Sequence, residues 1–255
     1  MIPAIANHDW EGEIKGKGSK VIIRVIPTII IGDYGIGGTI NYQDLDDEKL
    51  ELLIDRAKYW AFKVDDVDEV QADINIVNSA TGDAAEQMKI TVDTDVLAGV
   101  YSDAATALGT TVVQASNVLA WIISAGTILD EANVPESGRW LVIPPWIGGF
   151  IKQSDLKGAN VTGDSVSPLR NGLLGQIDRF TVFTSNLLAL SGTSETGTYH
   201  CIAGTKHFIS FASQFVRTDT LRLQNSFGDA LRGLKVYGFK VTKDTAGVHM
   251  PATRA

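Results

Sequence analysis

Apolar residues first cluster between Lys20 and Ile31. Val21, Ile22, Ile23, Val25, Ile26, Ile29, Ile30 and Ile31 form a β-branched run that favours extended chain. Pro27 has no backbone N–H, so the strand is an edge or breaks there. Gly32-Asp-Tyr-Gly-Ile-Gly-Gly38 follows as a turn, and Thr39–Gln43 is read as the returning strand. The pattern predicts a long hairpin with a glycine-rich tip. Such a ribbon is marginal alone in water and has adhesive edges, so it needs a cover. That cover is either the body of the same chain or a second copy. Lys15, Lys17 and Lys20 flank its base.

The period then changes along the chain. Glu48–Val64 alternates through Leu50, Leu52, Ile54, Tyr59 and Ala61 and is expected to be a strand. Val67, Val70, Ile74 and Val77 have helical spacing over Asp66–Asn78. After Gly82, Met88, Val92, Val96 and Val100 recur every four residues, a narrow stripe on a long helix from Asp83 to Ala105. Thr111–Ala132 is expected to be a second helix, capped by Ser116 or Asn117, with Leu119, Ile122, Ile123 and Leu129 on one face. The tract Ile128–Pro145 reads as a helix end, a polar turn at Asn133 and Pro135, a buried strand Trp140–Ile143 and a double-proline stop. Trp146–Ile151 is expected to make one or two helical turns.

Lys152–Leu174 and Leu187–Thr198 read as surface loops. Phe180–Thr184, Tyr199–Ala203 and Lys235–Val241 read as strands, and Lys206–Phe215 and Ser226–Gly233 as helices. Trp140, Phe180 and Leu119 are candidate core. Strand-rich ends bracket a mixed middle, so a lobe from about Thr106 to Asn225 is expected to be inserted into one built from both ends.

Composition changes the picture in three ways. At 255 residues, with 44% hydrophobic and 20% charged, the chain can bury a core. A net charge of −8 excludes wrapping nucleic acid through a general basic field. Cys201 is the one cysteine, so no intrachain disulfide forms. No signal segment opens the chain, no apolar run reaches spanning length, and the glycosylation-type triplet Asn160-Val161-Thr162 is then accidental. The expected compartment is the cytosol, or a particle assembled there.

Candidate chemistry is thin. Asp65, Asp66, Asp68, Glu69 and Asp73 lack the spacing and central glycine of a calcium loop and suit a helix start instead. His200 adjoins Cys201, but strand neighbours point to opposite faces, and a buried structural cysteine is the better reading of Cys201, His200 and His207. Gly32–Gly38 lacks the lysine ending of a phosphate loop. Arg217, Arg222, Arg232 and Lys206 are interleaved with Asp219 and Asp229, which favours a solvated or inter-subunit face. No catalytic residue, cofactor or metal ligand is assigned, and the chain is not expected to be an enzyme.

Several segments resemble, in order, the major capsid proteins of tailed bacteriophages, the family with the HK-ninety-seven-type fold. They are Asn7–Ile14, Ala61–Val67, Ile128–Pro145, Asp178–Asn186, Ala203–Ala212 and Phe227–Gly238. The resemblance implies an α+β fold with a protruding β-hairpin (the E-loop), a peripheral domain with a long spine helix, and an axial domain. On this chain these would be residues 11–44, residues 45–105 with 226–255, and residues 106–225. Residues 1–10 would be the remnant of an N-terminal arm. It further implies self-assembly into pentamers and hexamers of an icosahedral head around double-stranded DNA, without sequence-specific DNA contacts. Portal and scaffolding or decoration proteins would be further partners, no membrane would be involved, and the site would be the virion after assembly in the host cytoplasm. Ile29, Ile30, Ile31, Tyr34 and Ile36 are then the expected inter-subunit contacts. Two alternatives stay open: an encapsulin-like compartment shell, and a two-lobed small-molecule enzyme.

Overall fold

A computed structural model describes residues 1–9, 20–25, 31, 33, 42, 48–65, 76–154, 175–224 and 227–254. It begins with a short helical turn, α1 (Ile2–Ile5), whose Ile2 and Ile5 are buried. The apolar ribbon follows. Strand β1 (Lys20–Val25) pairs antiparallel with β2 (Glu48–Leu53), Val21 opposite Leu52 and Ile23 opposite Leu50. Thr39–Gln43, expected on the returning side of the hairpin, lies outside the described residues apart from Tyr42; the described return opposite β1 is made by β2. Leu50, Leu52 and Ile54 supply the matching apolar face. Because side chains alternate, Val21, Ile23, Leu52 and Ile54 turn inward and bury against Ala212 and Val236. Ile22 and Leu53 turn outward and stay 45% and 55% exposed.

The strand expected over Glu48–Val64 is two strands. The chain turns at Ile54-Asp55 from the ribbon into β3 (Arg56–Asp65). This strand joins β11 (Ile209–Arg222) and β12 (Gly228–Val241) in an antiparallel sheet of order β11-β12-β3. In place of the two helices expected here, Lys206–Phe215 and Ser226–Gly233, the chain is strand from Ile209 and from Gly228. β12 has a ladder on each side, so its backbone groups are paired, and that tertiary pairing overrides a weak local helix preference. At Gly238 the ribbon crosses the sheet so closely that a Cβ would lie 2.1 Å from the Leu53 carbonyl oxygen. Asn7 extends β11 on its other edge, its N–H donating to the Ile209 carbonyl (2.8 Å) and its carbonyl accepting from the Phe211 N–H (2.9 Å).

Helix α2 (Ile76–Val100) lies along the other face of this sheet. Met88, Val92, Val96 and Val100 are buried as the stripe predicts, with Leu97 beside them. Gly82 does not interrupt the helix. The expected helix over Asp66–Asn78 lies outside the described residues up to position 75. Helix and sheet are tied by Asp95, which accepts a hydrogen bond from the Tyr237 hydroxyl and an ion pair from Lys58 Nζ at 3.0 Å. Burial pushes the Asp95 carboxyl up, but the Tyr237 and Lys58 contacts outweigh it and hold the group below its usual range.

A 3-10 turn, Tyr101–Asp103, leads into a mixed eight-stranded sheet. Its path is β4 (Thr106–Ala107), β13 (Gly247–Arg254), β10 (Thr198–Gly204), β6 (Trp140–Ile143), β8 (Phe180–Thr184) and β7 (Gln176–Ile177). β5 (Thr111–Val113) pairs with β13 and β9 (Leu190–Ser191) with β10. The expected helix Thr111–Ala132 starts only at Val118, as α3 (Val118–Glu131). Asn117 holds the N-cap place but bonds backward, its Nδ2 to the Val112 carbonyl (2.9 Å) and its Oδ1 from the Gln114 N–H (2.8 Å). Ile122 and Leu129 are buried, Leu119 is half-buried and Ile123 faces solvent. Double proline opens α4 (Pro145–Gln153), and the loop expected beyond it lies mostly outside the described residues. Trp140 and Phe180 are core.

The sheets draw strands from both sides of the expected domain bounds. β11, within 106–225, joins β12 and β3; β13, within 226–255, joins β10. One buried cluster runs through α1 to α4, both large sheets included, and the ribbon has a smaller cluster of its own.

The close crossing yields a paired prediction. Gly238→Ala should lower stability by about 1–3 kcal/mol, since the obstruction is backbone. Gly82→Ala meets nothing within 4 Å and should raise it by about 1 kcal/mol. Urea unfolding of both variants checks the opposite signs.

Candidate assembly surface

Two exposed apolar faces flank the crossing. One is the outer face of the ribbon, where Ile22 and Leu53 stand with an ion pair between Lys20 Nζ and Glu51 Oε1 at 2.7 Å. The other continues the sheet face that the ribbon covers at its base. Ala57 lies opposite Val236, Tyr59 opposite Leu234 and Ala61 opposite Arg232, so these share one side. The ribbon reaches Ala57 and Val236 but leaves Tyr59 78% exposed. A shallow groove of about 460 Å³ lies there, lined by Tyr59, Ala61, Arg217, Asp219, Arg232 and Leu234.

Of the expected contact residues, Ile31 is 94% exposed; Ile29, Ile30, Tyr34 and Ile36 lie outside the described residues. Leu53 and Tyr59, exposed on these two faces, are not among the contacts expected from the sequence. The signal was present in the alternation of Glu48–Val64, but its two faces were not assigned because one strand was assumed where there are two.

The arginines are not a free cationic patch. Arg217 Nε meets Asp219 at 2.6 Å, Arg232 Nη2 meets the same carboxylate at 3.1 Å, and Arg222 meets Asp229 at 3.3 Å. Hydrogen bonding to Arg217, and then to Arg232, holds the Asp219 carboxyl below its usual range. Such exposed networks orient a face more than they stabilise it. A second network pins the tract Ile128–Pro145. Buried Arg139 donates to the Val134 (2.7 Å) and Pro135 (3.1 Å) carbonyls and pairs with Asp130 at 2.7 Å, while Arg179 reaches the other Asp130 oxygen at 2.8 Å. These bonds fix the left-handed turn at Asn133 (φ 54°) and so the entry into β6.

Cys201 is fully buried, and burial pushes its thiol well above the ordinary range. His200 turns away from it: Nδ1 meets His249 Nε2 at 2.9 Å, and Nε2 meets Ser191 Oγ at 2.8 Å. His207 is exposed. Asp65 is described; Asp66, Asp68, Glu69 and Asp73 are outside the described residues, as is Gly32–Gly38 except Asp33. Among the described residues no three of His, Cys, Asp and Glu converge as a metal set, and no helix is long and apolar enough to cross a membrane.

The family model "Phage capsid protein" matches residues 51–250. The chain belongs to the phage capsid protein family. Its α+β architecture is the HK-ninety-seven-type fold, and the protein is a major capsid protein, a structural component of the virion's capsid. It is similar to a solved structure of Mycobacterium phage Che8, with 29% identity over 98% of this chain and 90% of that one, at a TM-score of 0.79. The capsid of cyanophage P-SCSP1u shares the fold at 14% identity and a TM-score of 0.72, covering 94% of this chain and 85% of that one. The mature capsid of bacteriophage PhiM1 does so at 13% and 0.68, covering 91% and 82%. No curated protein sequence matches the chain.

The folded capsid protein should leave Cys201 unmodified by a water-soluble thiol reagent at neutral pH and react stoichiometrically in denaturant. Mass spectrometry before and after unfolding reads the difference; fast labelling of the folded chain would contradict the burial.

Proposed function

We propose that this capsid protein builds its shell by self-association through the outer face of the β1–β2 ribbon and the adjoining sheet groove. The observation that carries this reading is the division of the ribbon into two apolar faces. Val21, Ile23, Leu52 and Ile54 are buried on the chain's own sheet, while Ile22 and Leu53 are not covered by it. Covering such a face removes apolar area from water at roughly 25 cal/mol per Å². Modest contacts repeated around closed rings then hold a particle without any single tight interface.

In this reading pentamers and hexamers tile an icosahedral head enclosing double-stranded DNA. Ile29, Ile30, Ile31, Tyr34 and Ile36 continue the contact beyond the ribbon base. Residues 11–44 act as the E-loop, 45–105 with 226–255 as the peripheral domain and 106–225 as the axial domain, with β11 and β13 each crossing into the other domain's sheet. The role is structural rather than catalytic. Assembly takes place in the host cytoplasm, with portal and scaffolding or decoration proteins as partners, and the DNA is enclosed without base-specific contacts. The net charge of −8 fits enclosure better than wrapping.

The double variant Ile22→Lys/Leu53→Glu tests the reading. In the register observed, a lysine at 22 faces Glu51 and a glutamate at 53 faces Lys20, so the ribbon keeps its pairing while its outer face becomes charged. The variant should match the parent in melting temperature within a few degrees and fail to form megadalton particles by light scattering. Normal particles from this variant would overturn the assignment.

A further inference from the structure

His200 and His249 sit diagonally on one face of the β10–β13 pair, since His249 lies opposite Ile202 and His200 opposite Pro251. Their rings stack at 5.1 Å between centroids, with His200 Nδ1 2.9 Å from His249 Nε2. Tyr101, in the turn that ends the long helix, stacks on His200 at 4.1 Å and leans on His249 at 5.2 Å. Ser191 of β9 closes the chain of bonds at 2.8 Å from His200 Nε2. The three rings therefore join the end of α2, which packs on the three-stranded sheet, to the middle of the eight-stranded one.

One hydrogen between the facing nitrogens requires one donor and one acceptor. Two neutral rings satisfy this, and so does one imidazolium beside one neutral ring. Two imidazoliums do not: both nitrogens then carry hydrogen, and two positive charges face each other. The surroundings offer little compensation. Among the described residues, Tyr101 stacks on both rings and Ser191 bonds His200. Charged groups on the neighbouring elements include Asp103 on the turn, hydrogen-bonded by Ser102 at 3.1 Å, Lys243 and Asp244 in the turn before β13, Glu195 between β9 and β10, Arg254 at the end of β13, Lys152 on α4, and Asp130 and Glu131 on α3, with Asp130 held by two arginines. None of them is among the causes of either ring's shift.

We propose that the Tyr101–His200–His249 stack is an acid-sensitive joint between the long helix and the eight-stranded sheet. It is closed when at most one histidine is protonated and opens when both are. Burial lowers both rings, and His200 lowers His249 further. The sign follows: the unfolded chain takes up both protons near the ordinary histidine value of about 6.5, before the folded chain does. Stability is complete above that value and falls as pH drops through the lowered folded values.

The test is thermal unfolding of the chain between pH 8 and pH 5, with His249→Gln, His200→Gln and His207→Gln variants. The parent and the exposed-site control His207→Gln should lose melting temperature below about pH 6.5. His249→Gln should lose much less, because glutamine cannot acquire the second charge. Hydrogen exchange of the unmodified chain, corrected for intrinsic pH dependence, gives a readout that needs no variant. β10, β13 and Tyr101 should lose protection on acidification while β11 and β12 keep theirs. A parallel fall in the parent and His249→Gln, or uniform exchange loss across both sheets, would overturn the proposal. Neither readout depends on shell formation, so failure here leaves the assembly reading standing.

Discussion

A two-stranded apolar ribbon has two faces, and among the described residues one sheet surface buries one of them. That constraint organises this molecule. Period-two alternation sends Val21, Ile23, Leu52 and Ile54 inward and Ile22 and Leu53 outward. Antiparallel pairing makes each assignment mutual across the ladder, so neither strand can slip by one residue without exchanging its faces. The seat of the ribbon is set by Gly238, where only a missing side chain lets two backbones pass. What remains outside is a surface with a definite place and orientation on a rigid support.

That support comes from the core beneath. The stripe Met88 to Val100 fixes one long helix on the sheet's opposite face, and Asp95 fastens it through Tyr237 and Lys58. From the helix end the chain passes directly into the second sheet. Because β13 returns from the C-terminal side to pair with β10, the two sheets are laced together instead of hinged on a single linker. The capsid protein thus presents its exposed faces from one continuous body.

Much of this was legible in the sequence where residue pattern and local structure agree. The buried stripe of the long helix, the Trp140–Ile143 strand with its proline stop, Phe180–Thr184 and the apolar first strand all follow from period and β-branching. The misreadings have a common cause. Lys206–Phe215 and Ser226–Gly233 have locally ambiguous patterns, and the strand state of 209–215 and 228–233 within them is imposed by partners far along the chain. The part of the ribbon opposite β1 is Glu48–Leu53, whose alternation reads in sequence as the start of one longer strand over Glu48–Val64. The histidine stack was invisible for the same reason: His200 and His249 are brought together only by the β10–β13 register. Family resemblance, by contrast, was carried by ordered short segments, and it pointed to the fold despite errors in individual elements.

The most direct measurement is a side-chain-resolution reconstruction of the assembled particle. The expected result is that Ile22 and Leu53 lie buried against a neighbouring copy in every subunit, with Val21 and Ile23 still packed on their own sheet. A particle in which Ile22 and Leu53 face solvent throughout, with no second chain against the ribbon, would contradict it.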